Sequence, residues 1–63
     1  MTQKELLYVE DAIGHENIII KVCQNTIENL DDEKLISFLE NELKGHKSMK
    51  EKLIEMLEEK ANG

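Results

Sequence analysis

The stretch Ile27-Glu28-Asn29-Leu30-Asp31-Asp32-Glu33-Lys34-Leu35 decides how this chain folds. Helical patterning runs into it and out of it. Inside it, Asn29, Asp31 and Asp32 are poor helix formers whose short polar side chains favour caps and turns. The apolar phase also changes across it. One continuous helix would have to carry this segment at its centre; a tight turn there makes two antiparallel helices instead. Asp31 is expected to cap the second helix. Leu30 then stands before the cap and Leu35 one turn in, as a hydrophobic staple. Asp32 and Glu33 add negative charge where the helix dipole favours it.

Upstream, Thr2 with Glu5 three residues on reads as a capping box. Helix 1 is expected over about 2–28, a turn over 29–31, and helix 2 over about 32–60, with Asn62-Gly63 as terminator. Each helix is then roughly 40 Å long, and residues 1–63 form a single helical hairpin.

Two heptad rows mark helix 1: Leu6, Ile13, Ile20, Ile27, and Val9, Glu16, Cys23, Leu30. Two mark helix 2: Leu35, Glu42, Met49, Met56, and Leu39, His46, Leu53, Lys60. Leu7, Ile18, Ile19 and Val22 widen the first apolar surface; Ile36, Phe38, Leu43, Ile54 and Leu57 widen the second. Stripes this wide need more than one neighbour. A chain of 63 residues has little interior of its own, and small units of this kind often complete it by oligomerisation. The fold expected is all-α: an antiparallel two-helix hairpin that dimerises into a four-helix bundle.

Composition removes several function classes. The net charge is −6 and the isoelectric point about 4.8, which argues against nucleic acid as a partner and against a basic membrane-surface helix. The longest apolar run, Ile18-Ile19-Ile20, is far short of a membrane span. The residues after Met1 do not read as a signal peptide. A single cysteine excludes an internal disulfide, and Cys23 reads as a small buried hydrophobe. Ser37 and Ser48 lack a matched base, and no Gly-rich phosphate loop is present, so the chain is not expected to be an enzyme.

Three polar residues interrupt the apolar rows: Glu16, Glu42 and His46. A carboxylate taken out of water needs a partner, a shared proton or a metal. Folding the chain about the Leu30–Asp31 midpoint sets Glu16 level with Gly45, within two turns of Glu42 and His46. One reading is a metal centre holding Fe, Mn or Zn: two copies supply four Glu and two His, the ligand set of a di-iron or di-manganese bundle. Glu42 and His46 are four residues apart, where the known motif spaces Glu and His by three. A second reading is a structural polar layer, with Glu16 bonded to His46 to set helix register. A third leaves these side chains solvated. His15 faces outward on this phase. Gly14 and Gly45 fall near the same level, where helical glycine costs about 1 kcal/mol relative to alanine; they suggest close backbone approach or room for a ligand, the alternative being that one or both are tolerated defects.

These residues bear a family likeness. Glu10-Asp11-Ala12-Ile13-Gly14-His15-Glu16 resembles the Asp-Ala-Leu-Gly-Ser-Glu-Lys start of the spore coat protein F family. The stretch from Asp32-Glu33-Lys34-Leu35 through Phe38-Leu39-Glu40-Asn41-Glu42-Leu43 to His46 is similar to that family's second helix, with its acidic pair followed by His or Gln. The likeness covers roughly residues 5–58. The family commonly ends in an aromatic Gly-Trp-Tyr segment, whereas this chain ends Lys60-Ala61-Asn62-Gly63. The resemblance implies a structural protein of sporulation, a ferritin-like homodimer or larger homo-oligomer. Other coat proteins are possible partners under it, and the cytoplasm or the spore coat is its location. Glu16 and Glu42 match acidic family positions. The alternatives are a metal-binding bundle with metal-dependent oxidase activity and a helical adaptor that pairs with another protein's helices.

Overall fold

A computed structural model describes residues 1–62, with side chains described through residue 60. It contains two helices, α1 (Gln3–Glu28) and α2 (Glu33–Asn62), packed against each other. The expected Gly63 terminator lies outside the described residues. The Cα envelope measures 46 × 15 × 11 Å, so its length is that of α2 itself at 1.5 Å per residue.

The start of α1 is the capping box. Thr2 Oγ1 accepts from the Glu5 N–H at 3.1 Å, and Glu5 Oε1 accepts from the Thr2 N–H at 2.8 Å. Two otherwise orphaned donors are thereby satisfied. At the other end the Asn29 N–H turns back to the Thr26 carbonyl at 3.0 Å, and the Leu30 N–H to the Ile27 carbonyl at 3.3 Å. The Asn29 side chain donates to the Asn25 carbonyl at 2.8 Å.

Closing α1 in this way uses the chain through Leu30, and α2 starts one residue later than expected. Asp32, not Asp31, is the cap. Its Oδ1 accepts from the Lys34 and Leu35 N–H groups at 2.9 and 3.1 Å, and its carbonyl accepts from the Ile36 N–H at 3.0 Å. Leu35 therefore falls at the third helical position and is half exposed. The staple position belongs to Ile36, which turns inward.

Two cross-helix contacts give the register. Glu16 meets His46, and one heptad further along α1, Cys23 donates its S–H to the carbonyl of Leu39, one heptad earlier on α2, at 3.4 Å. The helices are therefore antiparallel, with residue numbers at matched levels summing to about 62. Both α1 rows face inward, as expected, with Leu6 at the margin. On α2 only one expected row does. Leu39, His46 and Leu53 are partly covered, joined by Ile36, Leu43, Ile54 and Leu57. The row Leu35, Glu42, Met49, Met56 is exposed. A helix of this length offers one neighbour only a narrow stripe, and α1 covers the stripe centred on Leu39 and Leu43.

The interior is thin in consequence. Among the described residues only Cys23 is buried, at 8% exposure. No helix among them is long and apolar enough to cross a membrane.

Candidate functional site

The centre of the hairpin is polar. Glu16 Oε2 lies 2.6 Å from His46 Nδ1, with the Glu16 side chain 15% exposed and that of His46 31%. Glu16 occupies an inward heptad position of α1 between Val9 and Cys23, and His46 the matching position of α2 between Leu39 and Leu53. The apolar neighbours on each row, one heptad away, hold the two backbones at packing distance and leave the two polar side chains facing each other. In the neutral tautomer whose Nδ1 donates to the carboxylate, Nε2 keeps a lone pair; in the imidazolium both ring nitrogens are donors.

Glu42 belongs to the same neighbourhood but not to the pair. It is exposed one turn before His46 and borders a cleft of about 260 Å3 with Glu16, Asn41, Gly45, His46 and Met49. Within one chain, among the described residues, no three His, Cys, Asp or Glu side chains come together as a group able to hold a metal ion. So the sequence's three polar residues resolve into a bonded pair, Glu16 with His46, and an exposed carboxylate beside it. His15 is exposed, as expected.

The glycines do not mark close approach inside the hairpin. A Cβ built on Gly14 or on Gly45 meets nothing within 4 Å. At Gly45 this open space is the floor of the same cleft.

Next along the hairpin is an apolar groove of about 350 Å3. Ile18, Ile19, Val22 and Cys23 form its α1 wall; Leu39, Glu42 and His46 form its α2 wall. The heptad reading did not find this groove. Its signal is a second set of apolar positions on α1, Ile19 and Val22, offset from the inward rows. Lys50 was also missed: it is partly covered on the opposite side of the hairpin, in a cleft with Ile20, Lys47, Glu51 and Ile54. A long lysine stem can lie along apolar surface while its ammonium stays in water.

The site thus offers a carboxylate–imidazole pair, one exposed carboxylate and an adjoining apolar groove. The chain matches no family model, no curated protein and no solved structure.

Proposed function

We propose that this chain is a structural assembly protein of the spore-coat type, a hairpin that associates with a copy of itself into a ferritin-like four-helix bundle. The observation that carries the reading is the imbalance between burial and exposure. Among the described residues one is buried, while Leu7, Tyr8, Ile18, Val22 and Phe38 are each 59–61% exposed. Apolar surface on this scale, in a unit with so little interior, is the mark of an association surface. Sedimentation or light-scattering mass, measured with helicity across a dilution series, tests it. The expected result is two or more chains at tens of micromolar. A fully helical species with the mass of one chain would overturn it.

A second reading, metal binding by Glu16, Glu42 and His46, is favoured by their placement around one cleft. Two copies would supply four carboxylates and two imidazoles, a donor set suited to Fe, Mn or Zn. Metal bound by the folded form alone stabilises it by mass action. Under this reading Fe(II), Mn(II) or Zn(II) raises the melting temperature, and the variant with Glu16, Glu42 and His46 all changed to Leu does not respond. Unchanged melting at high metal excess, with no metal found by elemental analysis, would remove it.

A further inference from the structure

Most of the exposed apolar residues border one side of the hairpin; Leu7 lies off it. On α1, Tyr8, Ala12, His15, Ile19 and Val22 follow one another at alternating four- and three-residue steps, one continuous helix face. On α2, Leu35, Phe38, Glu42, Gly45 and Met49 do the same, and Met56 extends them. Ile19 and Val22 share a groove with Glu42, and Tyr8 shares a cleft with Met56 further along, so both seams border the same side. The other side is polar. It carries Gln3, Glu10, Asn17 and Gln24 at seven-residue intervals on α1, and Lys44, Glu51 and Glu58 on α2, all exposed.

We propose that the apolar side is covered by a second copy of the chain laid face to face, which encloses the Glu16–His46 layers of both copies at the middle of the interface. This rests on the assembly reading and adds to it the surface used.

Three observations select a second copy as the occupant. The first is size. A face of 46 by 15 Å presents about 700 Å2, close to the roughly 800 Å2 per partner of stable interfaces. The second is the polar layer. Any occupant must meet Glu42 and the Glu16–His46 pair at mid-length, and a wholly apolar helix would cover the Glu42 carboxylate without giving it a partner. A second copy presents His15, Glu16, Glu42 and His46 at that level, carboxylates with imidazoles. A two-fold axis along the helices, or across them at mid-length, brings the two layers together. The third is Gly45. It lies in the seam, and nothing within its own chain uses the missing Cβ. A partner backbone approaching there would use it.

The test compares charges placed on the two sides. Val22→Lys and Phe38→Lys are expected to weaken dimerisation by about tenfold or more, since each places an unpaired charge in the interface. Leu7→Lys, equally exposed but outside the seams, is expected to leave the mass unchanged. A wild-type chain with the mass of one copy would sink this proposal together with the assembly reading. A wild-type dimer that survives Val22→Lys and Phe38→Lys but not Leu7→Lys would spare the assembly reading and overturn the face. Because a separated hairpin can unfold, crosslinking gives a readout on the intact dimer. In a Cys23→Ala background, Met49→Cys and Glu51→Cys are each treated with a bismaleimide that spans a helix diameter. Covalent dimer is expected several-fold faster from Met49→Cys. Equal rates, or faster reaction from Glu51→Cys, would overturn the proposal.

Discussion

Glu16 and His46 meet across the hairpin, Oε2 to Nδ1 at 2.6 Å, thirty residues apart in the chain. Each sits on an inward heptad row, so the contact is made only when α1 and α2 pack in this one register. Sliding α2 by a turn would set the carboxylate against Leu43 in one direction and beside Lys50 in the other, and would set His46 against Ile13 or Ile20.

A double-mutant cycle with Glu16→Gln and His46→Leu measures the pair. The groups are partly covered and the bond is charge-assisted when the carboxylate is ionised, which places it above the exposed ion pairs and below a fully buried one. A coupling of about 1 kcal/mol by chemical denaturation is expected. A coupling indistinguishable from zero would mean that the two side chains are solvated separately.

The cap of α2 separates two adjacent aspartates. Asp32→Ala is expected to cost about 0.5–2 kcal/mol, because it removes the acceptor for the Lys34 and Leu35 N–H groups. Asp31→Ala removes no such acceptor and should stay within about 0.5 kcal/mol of wild type. Thermal or urea melts of the two variants decide it; equal losses would place the cap elsewhere.

Glu5 gives the pH test. The Thr2 N–H, first, and the Thr2 hydroxyl, second, hold its carboxyl below the ordinary 4.5. A carboxyl lowered in the folded state contributes stability above its unfolded value and loses it as pH falls through the folded value. The difference in stability between wild type and Glu5→Gln should therefore be present at neutral pH and shrink on acidification below 4.5. An NMR titration should find the Glu5 carboxyl returned toward its ordinary value in Thr2→Ala. No movement in that variant would count against the capping box.

A charge introduced at two inward positions should not cost the same. Leu39→Asp puts a carboxylate beside Cys23 and the apolar groove, whose lining residues include no Lys or Arg, and should unfold the hairpin. Ile20→Asp puts one in the cleft shared with Lys47 and Lys50, where an ammonium can reach it, and should cost measurably less. Circular dichroism melts at one protein concentration compare them, and a larger loss at Ile20 would reverse this account.

Thr2, Glu5 and the Asn29–Asp32 segment announce helix boundaries locally, because caps and turns are satisfied by atoms a few residues away. That much was legible in the sequence, to within one residue at the start of α2. The α1 rows were legible too, since Val9, Ile13, Ile20 and Ile27 repeat along one continuous face, with Ile19 and Val22 as a second apolar set beside it. On α2 the sequence offers two apolar stripes side by side, one through Leu39 and Leu53 and one through Leu35, Met49 and Met56. Periodicity gives both the same weight. Only packing against α1 chose between them: the register set by Glu16 with His46 and Cys23 with Leu39 turns the first stripe inward and leaves the second in solvent. The same choice splits the three polar residues. Glu16 and His46 are placed by the interior they interrupt, while Glu42, on the stripe α1 does not reach, stays exposed. A helix can show which of its faces are apolar, but one neighbour covers only one of them, and which one is decided in three dimensions.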